Sequence, residues 1–324
     1  FKQKTAYEIP LRLVGSEMCI RDRSNLMSKN FSSEFNNYSL LVFLGAVWAA
    51  SFVAIKFSNE IFNPIEVGFY RTFIGSLFLF CAVKLRKGSI NIISKNTKTY
   101  SLVGLLNASV PFTLLPYGLI SLPSNIGVII LSANPFLALV LAHYFTIDEK
   151  LSLRKVIGSI IGFSGVIFAV GVEVFVSDLD SLIAALAIYI GASSYVISNL
   201  IIRKISNLPS DMVTMNTLFW GTIWLIPLML VFGNFQNIEF KWIPFLALLY
   251  LGIIPTGFAF SLRQVLIRNA GSTFMMQVGY IIPVFGVFYG WLLLGEKVGY
   301  SLIISVALVI TGISISRIQV NKKT

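Results

Sequence analysis

The sequence predicts an all-α integral membrane protein of ten transmembrane helices, arranged as two inverted five-helix repeats. Three observations carry that expectation. Apolar residues fill 56% of the 324 positions and charged side chains only 12%, with a mean hydropathy of +0.81, a composition foreign to ordinary soluble domains. Ten apolar stretches approach the roughly 20 residues that a bilayer core about 30 Å thick demands of a helix. Finally, a proline-bearing apolar helix leading to an acidic–basic pair occurs twice: Asn134-Pro135 precedes Asp148-Glu149-Lys150, and Pro283 precedes Gly295-Glu296-Lys297. Glu149 to Gly165 spans 16 residues, as does Glu296 to Gly312.

The expected spans run approximately over 39–56, 63–84, 100–121, 124–145, 153–173, 179–202, 211–232, 242–262, 272–294 and 299–317. Short connectors with turn-forming residues join them, such as Ser121-Leu122-Pro123-Ser124-Asn125, Asn207-Leu208-Pro209-Ser210 and Arg268-Asn269-Ala270-Gly271-Ser272. No connector is long enough to separate soluble domains. The first repeat is expected over 27–175 and the second, with a short basic tail, over 176–324. Residues 1–26 stand apart. Their segment Leu11-Arg12-Leu13-Val14-Gly15-Ser16-Glu17-Met18-Cys19-Ile20-Arg21-Asp22-Arg23 resembles a translated sequencing adapter, so the native protein is expected to start near Met27, and these residues are excluded from fold reasoning.

Lysine and arginine placement sets the orientation. With the amino end inside, sixteen basic residues fall in cytoplasmic segments, five of them in the loop from Lys84 to Lys98. Outside segments hold only Lys56, Lys241 and Lys297, while Arg71 lies within a span. Both termini are therefore expected in the cytoplasm of a bacterial inner membrane. The formal charge of +11 then reports topology, not a nucleic-acid surface. Five helices per half invert the second repeat, which places Glu149-Lys150 inside and Glu296-Lys297 outside.

Several segments resemble the EamA-type permeases of the drug/metabolite transporter superfamily. Trp48-Ala49-Ala50-Ser51-Phe52-Val53-Ala54-Ile55-Lys56 is similar to their first-helix pattern, and Pro64 with Phe69-Tyr70-Arg71-Thr72-Phe73 to the second. Gly252-Ile253-Ile254-Pro255-Thr256-Gly257 resembles the eighth-helix glycine pattern, and Leu292-Leu293-Leu294-Gly295-Glu296-Lys297 the ninth-helix ending. The likeness covers about residues 39–318. It implies export or exchange of small metabolites such as amino acids, or movement of drugs and nucleotide-related solutes. The chain departs from the pattern at Ile147-Asp148-Glu149-Lys150, where Gly-Glu-Arg is commoner, and at Ser261-Leu262-Arg263-Gln264, where aromatic residues are usual.

Ionisable residues within a bilayer are costly and usually face a cavity. Arg71 is expected either to contact an anionic or zwitterionic substrate or to serve a structural pairing. Glu66 and His143 are read as interfacial side chains. Glu149 and Glu296, at helix connections, are expected to cap the following helix or pair with a lysine. Candidate substrate contacts are Arg71, Asn107, Tyr117, Asn134, Asn216, Trp220, Gln277 and Tyr280. Trp48, Trp224 and Tyr289 are further aromatics within spans, whereas Trp242 and Tyr300 suit an interfacial belt. Pro111, Pro116, Pro135, Pro255 and Pro283 are candidate hinges, and Pro227 also interrupts a span, because each removes a backbone donor and frees a carbonyl. Gly158, Gly162 and Gly165 read as a packing seam or a dimer surface. Cys81 reads as a small buried residue.

The expected function is secondary transport of a small organic metabolite by alternating access, through a central cavity between the repeats. No cofactor, metal or nucleic-acid partner is expected; the substrate, the bilayer and a homodimer are the expected associations. The sequence holds no nucleophile elbow, HExxH or Walker loop, which argues against an enzyme. Competing readings are a flippase for lipid-linked substrates and a membrane-embedded protein that transports nothing.

Overall fold

A computed structural model describes residues 36–85, 92, 94–145, 152–170, 179–202, 210–234, 240–270, 272–275 and 277–317. The adapter-like segment and Asp148-Glu149-Lys150 lie outside them. Among the described residues all regular structure is helical. The helices are α1 (Asn36–Ser58), α2 (Pro64–Leu85) and α3 (Thr97–Ser121). Next come α4a (Ser124–Leu131) with α4b (Asn134–Phe145), then α5 (Leu153–Val170), α6 (Leu179–Ile202) and α7 (Ser210–Phe232). The helix α8 joins Trp242–Leu251, Gly252–Phe258 and Ala259–Ala270; α9a (Ser272–Met275), α9b (Val278–Leu294) and α10 (Tyr300–Arg317) close the order.

Seven helices among the described residues are long and apolar enough to cross a membrane, against the ten expected. The ninth span falls short because α9b begins only at Val278, leaving 17 helical residues, about 25 Å at 1.5 Å per residue. The fourth span is broken at Ser132-Ala133. Helix α4b restarts at Asn134 with Pro135 in its first turn, where a missing N–H does no harm. Pro135 thus begins a segment instead of bending a continuous one.

Two spans contain π-helical stretches that the sequence did not announce: Leu105–Ser109 in α3 and Gly252–Phe258 in α8. A π turn bonds i to i−5 and releases one carbonyl from the usual ladder. In α8 the Ala259 N–H bonds Ile254 O, and the Trp48 indole N–H donates to Pro255 O at 3.1 Å. In α3 the Val110 N–H bonds Leu105 O, while the Ser109 hydroxyl crosses to Gly221 O at 2.8 Å.

Helix pairing joins the two halves. Along α4a–α4b and α9b, Ser124 faces Gly290, Val128 faces Gly286 and Pro135 faces Gly279, so the two run antiparallel. A Cβ on Gly165 of α5 would meet Ser305 O, Leu308 and Val309 of α10, and one on Gly312 would meet Gly162 N and Gly158 O. These contacts also run antiparallel. The small-residue seam therefore lies within the chain. Asn63 Nδ2 donates to Phe232 O, and Gly75 approaches Leu218, giving an antiparallel α2–α7 pair. Gly118 against Ala184 and Asn107 against Ser198 do the same for α3 and α6. Trp48 against Pro255, and Leu41 and Leu44 clustered with Leu266, join α1 to α8.

Three side chains differ from expectation. Glu66, in the first turn of α2, is 1% exposed and so packed by protein instead of open to its surroundings. It forms a capping box: its Oε2 accepts from Asn63 N at 2.7 Å while Asn63 Oδ1 accepts from Glu66 N at 3.0 Å. Its other oxygen accepts from Asn234 N at 2.6 Å. Cys81 is exposed, on the face of α2 that also carries the exposed Leu77 and Phe80. Glu296 caps not the following helix but α4a, accepting from Ser124 N at 2.5 Å and Asn125 N at 3.0 Å. Gly295, at φ 65°, turns the chain after α9b so that this carboxylate reaches back.

Candidate substrate site at Arg71

Arg71 lies two turns into α2, and its side chain crosses to the other half of the molecule. The α2–α8 crossing is narrow: a Cβ on Gly75 would stand 3.1 Å from Gly252 O and 2.9 Å from Thr256 Cγ2. Small residues allow that approach. The π stretch brings Thr256 to the crossing, and Arg71 Nε donates to Thr256 Oγ1 at 2.8 Å. The guanidinium carbon stands 3.8 Å above the centre of the Phe112 ring, a cation–π arrangement. Tyr195 of α6 and Tyr250 of α8 are within electrostatic reach. Tyr250 is itself anchored, its hydroxyl donating to Val47 O at 3.1 Å.

Arg71 is 5% exposed and Thr256 fully buried. The groups set against the cation among the described residues are a hydroxyl and a ring face, neither of them a carboxylate. A buried guanidinium without a counter-charge is costly. Its planar fork matches a carboxylate or phosphate bidentately.

The other candidate residues do not all join this site. Asn107, in the π stretch of α3, accepts from Ser198 Oγ at 3.1 Å, and Ser198 also donates to Tyr195 O, which places Asn107 beside the Arg71 cluster. Asn134, Gln277 and Tyr280 stand at the breaks that open α4b and α9b, where Pro135 approaches Gly279; Asn134 Oδ1 is buried without a partner. Asn216 is fully buried, its amide donating to Met212 O at 2.8 Å and its Oδ1 unpaired. Trp220 packs with Tyr100 and Val213, with its indole N–H buried and unpaired. Tyr117 is 46% exposed on the outer surface of the bundle. Trp224 is also exposed and donates to Ser101.

Pro111, at the restart after the π stretch, and Pro116, Pro255 and Pro283, inside helical segments, are all buried. The Pro116 carbonyl accepts from Asn59 Nδ2 at 2.8 Å. Phe112 O, freed by Pro116, lies where a Cβ on Gly68 would be 2.9 Å away. At one end of the bundle a cavity of about 410 Å³ is lined by Lys56, Phe57, Glu60, Ser121, Pro123, Leu294 and Glu296. Among the described residues no three His, Cys, Asp or Glu side chains are grouped to hold a metal.

Thr256, Phe112, Tyr195 and Tyr250 were missed as partners of Arg71. Thr256 was within reach of sequence reasoning, since it occupies the middle of the eighth span as Arg71 does the second. Phe112 and the tyrosines carry no such signal in a chain with 14% aromatics.

The EamA-like transporter family matches residues 37–171 and again 182–318. The chain belongs to this family. It is a multi-pass membrane transporter built on a duplicated domain. A relative from Bacillus subtilis, the uncharacterized transporter YoaV, is 25% identical over 82% of this chain and 91% of its own length. An uncharacterized transporter of Archaeoglobus fulgidus is 26% identical over 85% of this chain and 94% of its own. The S-adenosylmethionine/S-adenosylhomocysteine transporter of Chlamydia muridarum is 22% identical over 84% and 89%. A solved crystal structure shares the fold at a TM-score of 0.64 and 17% identity, covering 88% of this chain and 96% of its own.

Proposed function

We propose that this chain is a secondary transporter in which a small organic metabolite, an amino acid or related solute, meets Arg71 between two inverted five-helix halves. One observation carries the reading: a guanidinium 5% exposed, at the crossing of α2 and α8, whose close partners among the described residues are all neutral. The antiparallel pairings of α1 with α8, α2 with α7, α3 with α6, α4 with α9b and α5 with α10 are what an inverted duplication would generate. They support alternating access, since each half supplies a similar surface facing the opposite way.

In this reading the structure is closed around Arg71. Glu296 ties the end of α9b to the start of α4a beside the Lys56 cavity, and opening toward that side requires the two ends to part. The charge distribution favours an inner-membrane placement with both termini cytoplasmic and the Lys56 cavity outside. Export or exchange is the expected direction. The test is an uptake screen in reconstituted vesicles with labelled metabolites, with and without a pH gradient. Transport of one solute that Arg71→Gln suppresses supports the reading, and undiminished transport by that variant removes Arg71 from the site.

A further inference from the structure

We propose that the substrate is a small monocarboxylate with an uncharged body, carried past a succession of three cations. This rests on the transport reading and narrows its solute, from amino acids and related metabolites to a carboxylic acid that lacks the ammonium group. Arg71 spends Nε on Thr256, and no described residue accepts from its terminal amino groups. That leaves the end of the guanidinium fork, the edge best matched to the two oxygens of a carboxylate. Phe112 covers one face of the guanidinium. Water is thus replaced by a ring and a hydroxyl, and an anion gains more from the charge than it would in solvent.

Charge balance selects the head group. Arg71 contributes one positive charge to the buried crossing, which one carboxylate neutralises. A phosphate dianion would leave excess negative charge in a site of low polarity. An ammonium on the same solute would need a carboxylate of its own. Glu66, the buried carboxylate of α2, is already bonded to Asn63 N and Asn234 N. An isolated cation would meet only repulsion.

Two more cations bracket the crossing. Arg263 lies seven residues beyond Thr256 on α8, about 10 Å toward one end, with its Nη2 3.5 Å from Asn199 Oδ1. Lys56 lies eight residues beyond Trp48, whose indole bonds Pro255 O, so it stands about 12 Å toward the other end because α1 and α8 are antiparallel. Lys56 lines the 410 Å³ cavity there, with Glu60 and Glu296 beside it. Cations at both ends and in the middle favour an anion at every stage of passage, while the two carboxylates near Lys56 keep it from being held at the mouth.

The experiment is counterflow in proteoliposomes of the full chain with solutes that differ in head group: phenylacetate, butyrate, phenylalanine, phenethylamine and phenyl phosphate. Phenylacetate or butyrate is expected to exchange at least ten-fold faster than the other three. Arg71→Gln should abolish that exchange, and Arg71→Lys should retain a fraction. Thr256→Val keeps the charge but removes the acceptor that aims it, and should weaken exchange about five- to ten-fold even where Arg71 variants fail to fold. Preferential exchange of phenylalanine, phenethylamine or phenyl phosphate overturns the carboxylate assignment and leaves the transport reading standing. Carboxylate exchange unchanged by both Arg71→Gln and Thr256→Val removes Arg71 from the site and overturns the proposed contact between the head group and its guanidinium. Absence of counterflow with every solute overturns both the carboxylate assignment and the transport reading.

Discussion

The crossing of α2 with α8 and the crossing of α7 with α3 are built on the same backbone geometry and carry different chemistry. In the first, a Cβ on Gly75 would stand 3.1 Å from Gly252 O; in the second, a Cβ on Gly221 would stand 3.1 Å from Gly104 O. Each crossing involves a π stretch, Gly252–Phe258 or Leu105–Ser109. The nearest neighbour of a Cβ on Gly75 is Thr256 and that of one on Gly221 is Ala108. Opposite Gly252 lies the carbonyl of Arg71; opposite Gly104 lies that of Thr217. Duplication supplied one scaffold twice, and only one copy holds a cation and its acceptor. The Thr217 hydroxyl is buried and unpaired. The difference teaches that the close glycine approach belongs to packing, while the Arg71–Thr256 pair is an addition to it.

That contrast can be broken most directly by exchanging side chains at the two equivalent places. Arg71→Gln should reduce uptake of the transported solute on the order of 100-fold, the scale of losing one partner of a buried charged contact. Thr217→Val should leave it within about two-fold, measured in the same vesicles. Equal losses would mean that both crossings act only as packing.

Glycine substitutions sharpen the contrast through stability. A Cβ on Gly104 would stand 2.7 Å from both Gly221 N and Thr217 O, backbone atoms that cannot turn away. On Gly252 its nearest neighbours are the Ile74 side chain at 2.6 Å, with Arg71 O at 3.4 Å. Gly104→Ala should therefore destabilise by about 2–3 kcal/mol and Gly252→Ala by about 1 kcal/mol, read as unfolding midpoints in detergent. The reverse order would show that the α2–α8 approach is the tighter of the two.

The carboxylate clamp gives a smaller effect. Glu296→Gln keeps the shape but loses the charge that faces the amides of Ser124 and Asn125, for an expected cost of about 1 kcal/mol. Smallest is the pair of carbonyl contacts at the π stretches. Trp48→Phe and Ser109→Ala each remove one donor, to Pro255 O and Gly221 O, and should cost about 0.5 kcal/mol in the same unfolding assay.

Much of the fold was legible because membrane helices write themselves as long apolar runs; the repeated prolines were a poorer guide, since Pro135 opens α4b while Pro283 lies inside α9b. Arg71 stood out because a charge in an apolar run is conspicuous. Irregularity within a helix was not legible. The π stretches contain ordinary residues, and the break at Ser132-Ala133 lies in a run that reads as continuous. Glu66 and Glu296 were readable as helix-end residues, yet only tertiary contact shows that one is buried and that the other grips a helix 171 residues away in sequence. Tyr117 and Trp224 show the converse, since membership of a span does not say which side of the helix faces lipid.

The Gly165–Gly312 seam bears on how the molecule is assembled. Gly158, Gly162 and Gly165 have no bulk of their own, and the surface they offer is filled by Ser305, Leu308, Val309 and Gly312 of α10, the last helix described, with Phe136 of α4b also against Gly162. A nascent chain that has released its first five helices would leave this furrow without α10 until the residues from Ser305 to Gly312 have been made. Because helices settle against one another only after each has entered the bilayer, the earliest half completes its packing last, and shortening the chain before Tyr300 would leave the furrow permanently unfilled.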